Sequence, residues 1–198
     1  MLPGRQRRVI FDLSAFGTES ERMSRAEYGD DYRKIHMPQV SMGMVHSMDT
    51  GLPFCYRLYG ESISDVKTLE NMAEFVSSLG CENIHFVMGR GFFSESNLTR
   101  LIDGGMGFTT PVLGRRKIFK TVVSESVRNT NLLNKTVFNG DIIRYHETEV
   151  KIVERKIRAL SYLDEARRLD EITTLYLRID SFERVLRTRS GRKVSTRS

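Results

Sequence analysis

The chain is expected to fold as α/β: a mixed five-stranded sheet built in the order β-β-β-α-β-α-β and flanked by helices. Three observations predict it. The first part carries short apolar runs bounded by turn residues. At Ser64 the hydrophobic period changes from alternation to helical spacing. Beyond it, two more apolar runs alternate with helical segments, as crossover units require.

Val9–Leu13 is the first strand-like run, and Gln39–Val45 and Phe54–Tyr59 are the next two, the last pair separated by a turn at Met48, Asp49, Thr50 and Gly51. Val66, Leu69, Met72, Phe75, Val76 and Leu79 then follow a helical period. Ser64 is the expected N-cap, Asp65 sits in the first turn where the helix dipole favours an anion, and Gly80 closes the helix. A strand over Ile84–Met88, a helix from Ser94 to Ile102, a turn at Gly104 and Gly105, and a strand over Gly107–Leu113 complete the order. With right-handed crossovers the first strand is central and Ile84–Met88 lies parallel beside it, so Asp12 and Gly89 should face one another at the two strand ends.

Past Gly114 the signals weaken into an irregular C-terminal region. Thr136–Phe138, Ile142–Tyr145 and Val150–Val153 are candidate short strands, with Asn139 and Gly140 as a hairpin turn. Ala166, Leu169, Ile172, Leu175, Ile179, Phe182 and Leu186 describe a long amphipathic helix, expected to pack against the body or another helix. From Thr188 the chain is polar and basic, and disorder is expected. The organisation is therefore a basic segment over 1–8, a core over 9–114, a region with hairpin and helix over 115–187, and a basic tail over 188–198.

At 198 residues, 39% hydrophobic and 28% charged, the composition is that of a globular, soluble protein. No apolar stretch approaches the roughly 20 residues that cross a bilayer, and no signal-type segment follows Arg8, so a cytoplasmic location without membrane contact is expected. Cys55 and Cys81 form no CxxC pair and read as buried thiols in a reducing compartment. The net charge of +6 gathers at Arg5, Arg7 and Arg8, at Arg115, Arg116, Lys117 and Lys120, and between Arg187 and Arg197. That pattern suits a polyanionic partner, and equally a basic solvated surface.

Several chemistries are disfavoured. Gly89, Arg90 and Gly91 stand between a strand and a helix, but Ser94 occupies the place of the third glycine of a dinucleotide loop. His36, His46, His85 and His146 have no zinc-site spacing, and no nucleophile elbow exists. What remains is Asp12 at the end of an apolar strand, as a functional carboxylate or a turn cap.

Taken together, Phe11 to Ser14, Met37 to Val40, Gly51 to Pro53, Gly60 to Leu69 and Val87 to Leu98 resemble, in order, the catalytic core of insertion-sequence DDE transposases. The resemblance covers roughly Val9 to Gly114, and with less force extends to Phe182 as the family's inserted region. It implies an RNase H-like fold and DNA as partner, with a homodimer as in related transposases. It also implies Mg2+ or Mn2+ held by two aspartates and a glutamate for metal-dependent phosphodiester cleavage and strand transfer. Asp12 matches the first aspartate as catalytic and metal-binding residue, whereas Gly89 occupies the place of the second. Arg90 and Gly91 match the residues that follow it, and Arg90, Arg115, Arg116 and Lys117 are the implied DNA-binding cations. None of Glu147, Glu149, Glu154 and Glu183 has the setting of the third carboxylate, and Glu61 stands where the family usually has asparagine. The expectation is a truncated, catalytically inactive transposase with weak or lost metal binding. The alternatives are a non-catalytic DNA-binding remnant, and an RNase H-like nuclease completed by a partner chain.

Overall fold

The computed structural model describes residues 6–20, 22–30, 36–60, 63–129, 134–152 and 154–194, with side chains as far as Arg187. Arg5, Glu61, Val153 and the last residues of the basic tail, 195–198, lie outside the described residues. The chain forms two compact units, Met1–Arg116 and Lys117–Ser198.

The first unit is a mixed sheet with two helices. Its elements are β1 (Arg7–Gly17), β2 (Glu27–Asp30), β3 (His36–Ser47), β4 (Pro53–Gly60), α1 (Asp65–Ser78), β5 (Ile84–Met88), α2 (Glu95–Asp103) and β6 (Gly107–Thr109). The strand order is β2-β3-β1-β5-β6, with β4 also on β3. As expected, β1 is interior: β3 runs antiparallel on one side and β5 parallel on the other. Six strands form instead of five. The addition is β2, paired with residues 36–39 of a β3 that begins earlier than its apolar stretch. At the other end the last strand stops at Thr109, two residues before Pro111, which lacks the N–H that a ladder needs.

Local chemistry sets the element ends. The β3–β4 connection closes with Gly51 N–H donating to Ser47 O at 2.8 Å, and Gly51 takes φ +70°, a region that suits glycine. Ser64 caps α1, its hydroxyl accepting from Lys67 N–H, and Gly80 ends the helix at φ +70°. Ser94 caps α2 in the same way by accepting from Asn97 N–H at 3.1 Å.

On one sheet face Phe11, Val45, Ile84 and Phe86 are buried with Leu69, Met72 and Val76 of α1 and Leu98 and Leu101 of α2. Each such side chain contributes on the order of 1.5–3 kcal/mol by leaving water. The alternate positions Ile10, Phe16, Tyr56 and Leu58 are exposed, so α1 and α2 cover one face of this sheet. Cys55 and Cys81 are half-buried free thiols, and burial, with Cys81 nearby, raises the Cys55 pKa.

The second unit is regular where irregular structure was expected. It comprises α3 (Lys117–Arg128), β7 (Asn134–Phe138), β8 (Asp141–Ile152), β9 (Arg155–Asp164) and α4 (Glu165–Val194). The strands form an antiparallel sheet in the order β7-β8-β9. Asn139 and Gly140 make the expected hairpin turn, with φ values of 51° and 89° that match a type I′ turn. Two candidate short strands merge into β8, while α3 and β9 had no counterpart in the sequence reading. The amphipathic helix exists, but its apolar residues Leu169, Leu175, Phe182 and Leu186 are exposed instead of packed, and it continues past Thr188 to Val194. No helix among the described residues is long and apolar enough to cross a membrane.

Candidate functional site

The parallel ladder between β1 and β5 ends at the pair Phe11 and Met88. One residue further on come Gly89, the first residue past β5, and Asp12, which lies within β1 and not at its end as expected, because β1 runs on to Gly17 by pairing with β3. β1 continues along β3, where Asp12 pairs with Met44, while β5 ends at Met88 and leaves the sheet at Gly89. Val9 and Phe11 are buried and Ile10 and Asp12 are exposed, so the Asp12 carboxylate lies on the open face of the sheet.

Gly89 has an ordinary extended backbone, φ −68° and ψ 166°. A Cβ built there would meet only the Phe92 ring edge, at 4.0 Å. Neither backbone nor space therefore requires glycine at this position, and a side chain with oxygen donors would fit.

The turn after Gly89 is held from three directions. Residues Arg90–Phe92 form a single 3-10 turn whose Phe92 ring packs on Phe11 with centroids 4.9 Å apart. The buried Asn97 side chain donates to Phe92 O at 3.0 Å, and the Thr110 hydroxyl donates to Gly89 O at 3.3 Å. Gly91 lies against the Asp65 carboxyl group, which occupies the place a Cβ would take. Sequence reasoning assigned Asp65 to the α1 terminus, where it does stand, and missed this second contact, along with the roles of Phe92, Asn97 and Thr110. The signal for Gly91 is faint because its φ is unexceptional and only a tertiary neighbour demands glycine.

Arg90 is exposed beside this turn, and the Arg116 guanidinium lies over the Phe93 ring at 5.9 Å, which brings it to the same region. Arg115 precedes it and is exposed; Lys117 opens α3 in the second unit. The other acidic candidates are all in the second unit and in ion pairs: Glu147 with Arg158, Glu149 with Lys156, Glu154 with Lys151 and Glu183 with Arg187. Hard divalent cations require several oxygen ligands each. Among the described residues no group of three His, Cys, Asp or Glu side chains is placed to hold a metal ion. The donors present, one carboxylate beside a residue without a side chain, do not fit a two-cation centre.

No family model matches the chain. No curated protein matches it. Among solved structures it is similar to a piggyBac transposase in a synaptic complex with hairpin DNA, at 14% identity and a TM-score of 0.44 over 78% of this chain. It is also similar to the Drosophila P element transposase in a strand transfer complex, at 12% identity and a TM-score of 0.29 over 68% of this chain. The chain spans about a third of the length of each, 32% and 31%. Likeness at this level assigns no family.

Proposed function

We infer that this chain is a DDE-type transposase relative of the insertion-sequence kind, with an RNase H-like core, that binds DNA without cutting or joining it. The observation that supports the reading is the parallel pairing of β1 with β5 as far as Phe11 and Met88, after which come Asp12 and Gly89, the latter standing where the resembled motif has its second metal-binding aspartate. Removal of that carboxylate leaves cation charge uncompensated and coordination incomplete, so Mg2+ or Mn2+ binding is weak or lost and in-line attack on a phosphodiester is unsupported. Arg90, Arg115 and Arg116 remain to contact phosphates, and Lys117 follows them in the chain.

Two measurements test it. A mobility-shift titration on duplex DNA should show a complex at low salt whose affinity falls steeply as salt rises. Incubation with Mg2+ or Mn2+ and DNA carrying insertion-element ends should give no cleaved or joined product. A product overturns the inactivity, and the lack of any shift at low salt overturns the DNA binding.

A further inference from the structure

An apolar stripe on α4 is exposed among the described residues. Ile172, Leu175, Ile179, Phe182 and Leu186 recur at alternating spacings of three and four, and all five are exposed, from 37% at Ile172 to 63% at Phe182 and Leu186. That spacing describes the inner positions of a two-stranded coiled coil. Ile172 and Ile179 fall at one inner position and Leu175 at the other, the arrangement that favours two parallel strands, and Phe182 and Leu186 continue the seam with apolar side chains outside that pattern. One flanking charge pair agrees. In a parallel, in-register pair the position of Arg178 on one helix faces that of Glu183 on the other, and two-fold symmetry repeats the opposite-charge contact. Within its own helix Glu183 reaches Arg187 only at 3.7 Å, with both side chains largely in water, so it can turn to a new partner at little cost.

The geometry points to α4 as a self-pairing surface, on which the Ile172–Leu186 stripe of one chain packs in parallel against the same stripe of a second copy, flanked by Arg178–Glu183 contacts. The inference stands apart from the transposase reading, because it uses residues of the second unit alone and holds whether or not DNA is bound. The seam is little more than two heptads long, short of the three or four that mark a stable coiled coil, so the pairing is a concentration-dependent equilibrium and not a permanent assembly.

Sedimentation equilibrium of the full chain should show monomer and dimer exchanging with concentration, and Ile179→Asp should remove the dimer. Arg178→Glu, which leaves the apolar seam intact, should weaken it by roughly two- to thirty-fold, the effect of losing two exposed ion pairs. The double variant Arg178→Glu/Glu183→Arg should restore it. With Cys55 and Cys81 changed to serine, chains carrying Phe182→Cys should cross-link to one another under an added oxidant. A monomer at every concentration, or a dimer indifferent to Ile179→Asp, overturns the proposal. A dimer that neither the charge exchange restores nor Phe182→Cys cross-links overturns the parallel arrangement.

Discussion

The Phe92 ring packs on the Phe11 ring with centroids 4.9 Å apart and planes tilted by 48°, which fastens the turn after β5 to the central strand. Both rings are buried, Phe11 completely and Phe92 to 3% exposure. Phe92→Ala should therefore cost about 3–5 kcal/mol through lost transfer and a cavity. Urea unfolding followed by circular dichroism measures it, and a loss below about 1 kcal/mol would show that the turn is anchored elsewhere.

Gly91 and Asp65 exclude one another's growth. A methyl group at Gly91 would stand where the Asp65 carboxyl lies, but both residues are exposed and that carboxyl can swing aside, so Gly91→Ala should destabilise by no more than about 1 kcal/mol. Because the obstacle is a single side chain, most of that cost should vanish when Asp65 is also changed to alanine. A double-mutant cycle reads the coupling directly, and additive effects would place the obstruction in the backbone instead.

Gly89→Asp tests the open position beside Asp12. With extended backbone and only the Phe92 edge within 4.0 Å, the change should alter stability by no more than about 0.5 kcal/mol. It places a second carboxylate just past the end of β5, the strand paired with the one that carries Asp12, and Mn2+ should then raise the melting temperature of the variant while leaving the parent chain unmoved. Adding Asp12→Asn should abolish the response. An equal response in parent and variant would mean that the ion binds elsewhere.

The parts of this architecture that are legible in the sequence are those whose cause is local. Ser64, Asp65 and Gly80 mark α1 because capping acts within one turn, and the apolar run Ile84–Met88 marks β5 because both its faces are at least half covered. β2 escapes because Glu27, Gly29 and Asp30 are disfavoured in strands, Tyr28 alone favours one, and the segment is held by pairing with β3. β9 escapes for a related reason: its charged positions are matched across the sheet, Lys156 to Glu149 and Arg158 to Glu147, and those partners are invisible in a local window. α3 carries Ile118, Phe119, Val122, Val123 and Val127 at helical spacing, a period that the sequence reading overlooked although only Val122 is buried among its described side chains. In the candidate site, the neighbouring places of Asp12 and Gly89 follow from strand order, whereas the contact between Asp65 and Gly91 is purely tertiary.

His85 supplies a pH dependence. Burial, and then the Arg8 cation on the adjoining strand, lower its pKa from the ordinary value of 6.5, while its Nε2 lies 2.8 Å from the Thr109 hydroxyl. With the folded-state pKa depressed, the unfolded chain binds the proton more readily. The contribution of His85 to stability is thus complete above the unfolded pKa and is lost as pH falls through the folded one. Stability should decline on acidification below about pH 6.5, and His85→Gln should flatten that part of the profile. A His85→Gln profile as steep as the parent's would assign the decline to other groups.

The basic residues near the turn make the last prediction quantitative. Arg90, Arg115 and Arg116 are exposed, and the Phe93 ring holds Arg116 in place without using its capacity to donate hydrogen bonds. If each guanidinium meets one phosphate, each neutralised contact contributes about −0.9 to the slope of log affinity against log salt concentration on duplex DNA. Arg115→Ala and Arg116→Ala should each lower the magnitude of that slope by about 1 and weaken binding alike on unrelated sequences, since phosphate contacts carry no base information. Arg116→Lys should keep the slope but lose part of the affinity, because a lysine ammonium on a flexible stem cannot stack flat on Phe93. Fluorescence anisotropy over a salt series separates the cases. Unchanged slopes in both alanine variants would move the DNA contact away from this end of the sheet.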